Sequence, residues 1–287
     1  MSISGKVGAP AMAAAPADQL ERLLTAGRAH RTAGRYPEAK AVLERALEVA
    51  EVAHGSASLE VAEVLNELGI AAKYAGRFAD GEAAYGRALA IVERELGPED
   101  DAVASLFHNL GGLAHARGDH EAAEPLARRS VELRTALWGP DDVQVALDRG
   151  AHAAILVELG RLTEAEAVLR EVIDTLRRAP DDELETAVTL NNLATVRQRL
   201  GDLGEAELVA REALAIRERR LGQGSSVLAL SWNTLGSILE EGGRLEQAVE
   251  HYERAIDLLE GAVVSEHPAR RTIARNLERV REAAARS

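Results

Sequence analysis

A short glycine-containing segment recurs six times along the chain at a nearly constant interval. The interval between successive anchoring glycines is 42 in four cases and 41 in the other. The anchoring glycines are Gly34, Gly76, Gly118, Gly160, Gly201 and Gly243. A fixed period of this size is typical of a stacked array, in which each repeat packs against its neighbours in sequence.

Each repeat has the pattern of a helical hairpin. The glycine follows one helical segment and precedes another within five residues, and a glycine can close a helix C-terminus without a Cβ clash. The residue five positions after the glycine is small in every repeat, which allows two helices to approach closely. These small residues are Ala39, Gly81, Ala123, Ala165, Ala206 and Ala248. The sequence therefore predicts antiparallel helix pairs.

The two ends of the chain fall outside the repeating register. Residues 1–17 contain Pro10 and Pro16 within an Ala-rich stretch and are predicted to be a disordered tail. Residues 18–265 hold the six repeats. Residues 266–287 are predicted to form a single helix whose apolar residues lie on one face, as a cap on the last repeat requires. The predicted fold is all-α, an α-solenoid of six antiparallel helix pairs with a C-terminal capping helix.

Composition and charge exclude several classes of function. With 34 basic and 47 acidic residues the net charge is −13, which disfavours binding to a phosphate backbone. The chain has no cysteine, so it has neither a disulfide nor a thiolate metal ligand. No apolar run approaches the ~18 residues of a membrane span. Prolines interrupt the N-terminal apolar stretch, which a signal peptide would keep continuous. We expect a cytoplasmic protein whose partners include neither nucleic acid nor membrane.

The repeat resembles the tetratricopeptide repeat. The segments TLNNLATVRQRLGDLGEAE (189–207), ALAIVERELGPEDDAVA (88–104) and EHPA (266–269) carry the resemblance. The period of this chain is similar to that of the longer repeat of kinesin light chain and its bacterial relatives, and the match covers about 18–286. The N-terminal heptad coiled coil with which kinesin light chain meets its motor is absent, so the resemblance implies a bacterial relative rather than a motor subunit.

The resemblance also implies where a partner binds. In this family the first helix of each repeat lines the concave face of a superhelix. Counted from the anchoring glycine, the inward positions are −13, −10, −9, −6, −3 and −2. We expect the partner-binding groove to include Asn66, Lys73, Tyr74, His108, Asn109, His115, Asn191, Asn192, Gln198 and Asn233.

Asparagines are the most specific feature of these positions. Asn is a mediocre residue in a helix interior, yet Asn66, Asn109, Asn191, Asn192 and Asn233 recur at two adjacent positions of the register. An amide carries both donors and an acceptor, so it can pair with the backbone of an extended peptide. Alternatively, these amides bond neighbouring helices and set the stack.

Repeat four departs from the pattern because it has no Asn at these positions. Its inward residues are largely apolar, and His152 occupies the position of a consensus Leu. The apolar residues are Leu147, Ala151, Ala154 and Val157. One interpretation is a pocket for an apolar side chain of the partner, and the other is a degenerate repeat.

The sequence predicts no catalytic residue, metal site or cofactor. His108 and His115 share a helix face, with His152 in the next repeat, but their spacing is two turns rather than the one-turn spacing of the helical zinc motif. There is no phosphate-binding loop and no nucleophile elbow. The protein is therefore not expected to be an enzyme.

The predicted function is that of a scaffold or adaptor, which binds a peptide or protein in its groove. One alternative is a peptide-sensing switch that controls a separately encoded effector. Another is a non-catalytic subunit of an enzyme complex. The expected state is a monomer or weak homo-oligomer, and the sequence does not specify the partner.

Overall fold

A computed structural model describes residues 16–179, 182–260 and 268–286. Within these ranges the chain forms thirteen α-helices and no β-strand, which confirms the predicted all-α solenoid of helix pairs. The helices are α1 (Pro16–Thr32), α2 (Tyr36–His54), α3 (Leu59–Tyr74), α4 (Phe78–Leu96), α5 (Asp101–Arg117), α6 (His120–Trp138), α7 (Val143–Glu158), α8 (Leu162–Arg177), α9 (Glu183–Arg199), α10 (Leu203–Leu221), α11 (Leu228–Glu241), α12 (Leu245–Leu259) and α13 (Pro268–Ala284).

The anchoring glycines end the first helix of each repeat, as predicted. All six have a positive φ of 70–85°, a backbone conformation in which a Cβ would be strained. In repeat four the N–H of Gly160 donates to Val157 O at 3.1 Å, and the N–H of Arg161 donates to Leu156 O at 2.9 Å. These two bonds satisfy carbonyls that have no N–H donor within the helix, and they turn the chain directly into the next helix.

The chain divides into two compact units, and each is described by itself. Unit 1 extends to Asp119 and contains α1–α5, where α1 pairs with α2, α3 pairs with α4, and α5 packs on α4. Unit 2 begins at His120 and contains α6–α13. Its pairs are α7 with α8, α9 with α10 and α11 with α12, flanked by α6 and α13.

The predicted small-residue position lies at the closest packing of the helices. The alanines five residues after the glycine are fully buried, and Gly81 is buried at the same position. These alanines are Ala39, Ala123, Ala165, Ala206 and Ala248. A larger side chain here would push the paired helices apart, since protein interiors are close-packed.

The array begins slightly before its predicted start, and its last helix lies within the predicted bounds. Helix α1 begins at Pro16, two residues before the predicted start, while residues 1–15 of the predicted tail lie outside the described part of the chain. Helix α13 packs on α12 with Ile273 and Val280 buried. Among the described helices, none combines the length and apolar character that crossing a membrane would require.

Candidate functional site

The site is built on one face of the first helices. We call it the A-helix face, defined by positions −13, −10, −9, −6, −3 and −2 relative to each anchoring glycine. In unit 1 these positions are on α1, α3 and α5, and in unit 2 on α7, α9 and α11. Helix α13 continues the register, because one more period after Gly243 reaches position 285. Asn276 and Arg279 therefore occupy positions −9 and −6 of a seventh, incomplete repeat.

Side-chain hydrogen bonds connect the A-helix face of one repeat to that of the next. Each bond joins position −10 of one repeat to position −9 of the following repeat, and the bonded residues are 43 apart in sequence. We call this series the amide ladder and each bond a rung. The rungs are Asn109 Nδ2 to Asn66 Oδ1 (2.8 Å) in unit 1, and Asn191 Nδ2 to Thr234 Oγ1 (3.2 Å) and Asn276 Nδ2 to Asn233 Oδ1 (3.1 Å) in unit 2.

The ladder uses only part of each amide. A side-chain amide has two N–H donors and an oxygen with two lone pairs, and one rung consumes a single donor or acceptor from each residue. In the Asn66–Asn109 rung, both residues are half-buried. The amides thus bond neighbouring helices, and they also keep donors and acceptors that a ligand could use. The two interpretations of the asparagines are compatible.

One rung is missing in unit 2. The register places Asn192, at position −9 of repeat five, opposite Gly150 at position −10 of repeat four. Gly150 has no side chain, and a Cβ built on it would have no atom within 4 Å. The half-buried amide of Asn192 makes no hydrogen bond within the described residues, in contrast to the amides of the rungs. The neighbouring Asn191 also keeps a buried Oδ1 without a partner there.

A row of apolar side chains runs beside the ladder in unit 2. At position −13 of successive repeats stand Leu147, Val188 and Leu230, on α7, α9 and α11. Val188 is 41% exposed, Leu230 is 56% exposed and Leu147 is half-buried. The equivalent positions on α3 and α5 of unit 1 are polar, Glu63 and Ser105. Unit 2 therefore offers apolar contact area next to its open amide.

The four residues of the predicted repeat-four pocket have different environments. Ala151 is exposed, whereas Leu147 and Ala154 are half-buried. Val157 is 8% exposed and packs in the hydrophobic core, and its carbonyl accepts a hydrogen bond from Arg199 Nη1 at 2.8 Å. The surface that this repeat presents is made mainly of small side chains.

Polar residues form the C-terminal end of the A-helix face in unit 2, and Glu240 is the centre of their hydrogen bonds. Glu240 accepts two bonds from Arg279, at 2.8 and 2.9 Å, and a third from Tyr252 Oη at 2.9 Å. The Arg279 bonds are the main reason that the pKa of Glu240 lies below its ordinary value. Gln198 Nε2 donates to Ser237 Oγ at 2.9 Å. A cavity of about 380 Å³ is lined by Gln198, Ser237, Glu240, Glu241 and Arg279.

In unit 1 a lysine and a tyrosine form a second feature of the A-helix face, and a tyrosine of α2 packs beside them. The ammonium of Lys73 lies 5.2 Å from the ring centroid of Tyr74, which is 58% exposed and stacks on Tyr36 with centroids 6.4 Å apart. Burial, with a smaller contribution from Arg31, lowers the pKa of Lys73. Among the described residues Lys73 forms no ion pair, so its charge is available to an anionic group.

A charged network beside this lysine was not predicted from the sequence. Arg28 Nε lies 2.7 Å from Glu67 Oε1, and Arg28 Nη2 lies 2.8 Å from Glu63 Oε1. Glu67 is only 7% exposed and also lies 3.6 Å from Arg31 Nη2. The sequence signal for such ion pairs is an arginine and a glutamate separated by slightly less than one repeat period.

A further cavity, of about 450 Å³, lies in unit 1 at the N-terminal ends of α3 and α5. Its lining combines apolar side chains with three carboxylates. The residues are Leu59, Ala62, Glu63, Asn66, Val92, Leu96, Asp100, Asp101, Ala102, Ser105 and Leu106. Asp100 is the N-cap of α5, where its carboxylate accepts a bond from Ala102 N at 2.9 Å. Asn66 is one of the residues predicted to line the groove, whereas the cavity itself was not predicted from the sequence.

The surroundings of His108, His115 and His152 differ from those of a metal site. His108 and His115 are half-buried on α5 of unit 1, and each interacts with other groups. In unit 2, His152 Nε2 lies 3.4 Å from Glu124 Oε1, which also lies 3.3 Å from Arg161 Nη1. In the part of the chain that the structure describes, no three His, Asp or Glu side chains are grouped to hold a metal ion.

Comparison with known proteins identifies the repeat. A model of the tetratricopeptide repeat matches residues 19–80, 60–136 and 144–219, and a second model of this repeat matches residues 229–258. No curated protein matches the chain.

Several solved structures have a similar fold. BtubC (BKLC) from P. vanneervenii is 20% identical, with a TM-score of 0.63 over 85% of this chain and 92% of that one. A Podosopora anserina protein of kinesin-light-chain type with nearly identical TPR-like repeats is 18% identical, with a TM-score of 0.61 over 73% and 99%. A Rap protein complexed with Competence and Sporulation Factor is 14% identical, with a TM-score of 0.63 over 93% and 76%. At these identities the likeness concerns the fold.

Proposed function

Because the chain belongs to the tetratricopeptide repeat family, we propose that it is a non-catalytic scaffold that binds a peptide or protein partner on its A-helix face. The observation that carries the proposal is the missing rung between Gly150 and Asn192. The half-buried amide of Asn192 makes no bond to another described residue, so its donors and its acceptor remain available to a partner. A partner that supplies a donor and an acceptor at this point would complete the ladder.

The mechanism follows from the two rows of unit 2. An extended segment of the partner would pair its backbone amide with Asn192, while alternate side chains contact the apolar row of Leu147, Val188 and Leu230. The helices that carry these residues are packed before binding. The protein therefore loses little conformational entropy when the complex forms.

The other predicted groove residues belong to the same proposal with different roles. Lys73 and Tyr74 offer a cation and an exposed ring to the partner. His108, His115 and Gln198 supply polar contacts, and the small side chains of Ala151 and Ala154 leave room for an apolar side chain, whereas Val157 belongs to the core. Asn66, Asn109 and Asn233 form rungs with part of their amide and offer the remainder to the partner, whereas the buried Asn191 supports the face through its rung.

A single substitution separates binding from stability. In Gly150→Asn, the new amide lies opposite Asn192 and forms the missing rung, and the loss of a helical glycine also favours the fold by several tenths of a kcal/mol. We expect a higher melting temperature and loss of the partner when the variant is used for affinity capture from the native lysate with mass spectrometry. Asn192→Ala should lose the same partner.

The matched control is Gly86→Asn on α4. Gly86 is exposed, a Cβ there meets no atom within 4 Å, and it is outside the A-helix face. This variant should capture the partner as well as the wild type does. A partner that all four proteins capture equally would move the interface away from Asn192 and refute the proposal.

A second candidate function is a switch that senses a peptide and controls a separately encoded effector. The similarity to a Rap protein complexed with Competence and Sporulation Factor favours this candidate. A switch changes its conformational equilibrium on binding, whereas a static scaffold does not. Small-angle scattering with and without the captured partner segment distinguishes them, because only the switch changes its radius of gyration by more than the added mass explains.

A further inference from the structure

The cavity of about 450 Å³ in unit 1 has the form of a ligand site. Its inner wall is made by Val92 and Leu106, which are 5% and 4% exposed. At its mouth lie Leu59 and Leu96, which are 40% and 46% exposed and are therefore large apolar side chains open to solvent. The volume is within the range of ~300–1,000 Å³ that is usual for ligand pockets.

The polar part of the lining has one sign of charge. Glu63, Asp100 and Asp101 are the charged residues of the lining, and it contains no Lys, Arg or His. Arg28 pairs with Glu63 from α1 and offsets part of that charge. Asp100 directs one oxygen to Ala102 N and keeps further acceptor capacity, because a carboxylate accepts several bonds. An apolar group that enters the cavity thus meets carboxylates at the rim.

We propose that this cavity binds a large apolar side chain of the partner together with an adjacent lysine or arginine. The proposal rests on the proposed function, since it names the chemistry of a second contact with the same partner. Charge complementarity selects the occupant: a cation beside the apolar group pairs with the rim carboxylates, whereas an acidic neighbour is repelled by them. The cavity thus favours a cationic group of the partner, whereas Lys73 of the same unit favours an anionic one.

Two small probes test the site without knowledge of the partner. Phenethylammonium and 3-phenylpropanoate have similar shapes and opposite charges. Their binding is followed by NMR on protein with labelled Leu and Val methyl groups, because Leu59, Val92, Leu96 and Leu106 line the cavity and report directly. We expect saturable shifts of these methyls with the cation and binding at least ~10-fold weaker with the anion, since two charges near a surface interact by this order of energy.

Three variants make the test specific. Ala102→Leu fills the cavity from a half-buried position and should abolish the shifts with both probes while the rest of the spectrum is retained. Asp101→Asn together with Glu63→Gln should reduce the preference for the cation by several-fold. The control Asp80→Asn removes an exposed carboxylate of the same unit that is not in the lining, and it should leave the preference unchanged.

The outcomes separate this proposal from the proposed function. Equal binding of both probes, no saturable shift of the four methyls, or unchanged binding in Ala102→Leu would overturn the cavity proposal, and none of these depends on partner capture. Gly150→Asn should bind phenethylammonium normally even when it has lost the partner. Once the partner segment is known, alanine scanning should identify a neighbouring apolar and basic pair, and a segment without a basic residue would contradict the inference.

Discussion

At the scale of single residues, two buried arginines occupy the same register position in different repeats. Arg134 and Arg217 both stand at position +16 relative to their glycine, where the other repeats have apolar side chains. Arg134 Nη1 lies 2.9 Å from Asp148 Oδ1 in a buried ion pair. Arg217 donates instead to the neutral Ser231 Oγ at 2.5 Å, and burial lowers its pKa. The other residues at this position are Ala50, Val92, Leu176 and Leu259.

The same substitution should therefore have opposite effects at the two positions. Arg217→Leu removes a buried charge that has no directly bonded carboxylate, and we expect it to raise the free energy of unfolding by about 1–3 kcal/mol. Arg134→Leu leaves Asp148 buried without its cation and should lower the free energy of unfolding by about 3–5 kcal/mol. Urea unfolding followed by circular dichroism measures the effect of each variant. Effects of the same sign would contradict the conclusion that only Arg134 is stabilised by a bonded carboxylate.

Two buried tyrosines provide a second residue-level comparison. The hydroxyl of Tyr252 donates to Glu240 Oε2 at 2.9 Å, whereas that of Tyr85 has no partner among the described residues. Tyr252→Phe should lower the free energy of unfolding by about 1.5–3 kcal/mol, because it removes a bond to a charged group. Tyr85→Phe should be neutral or stabilising, since it removes an unpaired polar group. Thermal unfolding tests the difference, and a larger loss in Tyr85→Phe would be inconsistent with the hydrogen bonding.

At the scale of helices, glycines within α3 and α11 allow an aromatic ring to pack directly on the backbone. A Cβ on Gly69 would lie 2.4 Å from Tyr85 Cε1, and one on Gly236 would lie 2.8 Å from Tyr252 Cε1. Both rings are fully buried and cannot withdraw. The alternation of small and large residues in the sequence is thus a set of specific pairs between the two helices of a repeat.

Gly69→Ala tests whether the cost of crowding the tyrosine ring exceeds the gain in helix propensity. Propensity alone favours Ala by about 1 kcal/mol, but overpacking costs about 1–3 kcal/mol, and we expect net destabilisation. Adding Tyr85→Leu should recover part of the loss, because repeat four has Ala153 and Leu169 at the equivalent positions, both fully buried. The control Gly86→Ala, at an exposed position with free space, should stabilise. Equal melting temperatures for both Gly→Ala variants would refute the packing argument.

The ion pair between Glu240 of α11 and Arg279 of α13 couples the last helix to pH. Because the pKa of Glu240 is lowered in the folded state, its contribution is complete above the ordinary value of 4.5 and is lost as pH falls further. The melting temperature of Glu240→Gln should therefore lie below that of the wild type at pH 7, and the difference should shrink below about pH 4.5. Glu246→Gln, an exposed substitution on α12, is the control. A difference independent of pH would contradict this prediction.

At the scale of the whole molecule, arginine provides nearly all of the positive charge. Only three of the 34 basic residues are lysines, and many arginines pair with a glutamate of the neighbouring repeat, 35–39 residues away. The planar guanidinium makes directed bonds that fix one repeat against the next, which a lysine does less well. Among these pairs are Arg28–Glu63, Arg87–Glu51, Arg117–Glu82, Arg177–Glu212 and Arg244–Glu207.

The sequence alone determined the fold of this protein. The period, the glycine that ends each first helix and the small residue five positions later specify helix pairs through local backbone conformation and close packing. These are properties of neighbouring residues or of one repeated position, so they can be recognised without coordinates. The asparagines were also recognised as special, although the sequence left both of their roles open.

Only the tertiary structure decided how side chains meet between repeats. The rungs join residues 43 apart, one more than the period, because the packing of successive helices offsets their faces by one position. That offset pairs Asn109 with Asn66 and leaves Asn192 opposite Gly150. The partners of Arg134 and Arg217 and the cavity of unit 1 depend on the same packing. The repeat pattern fixes the register along each helix, and packing fixes which positions of neighbouring helices touch.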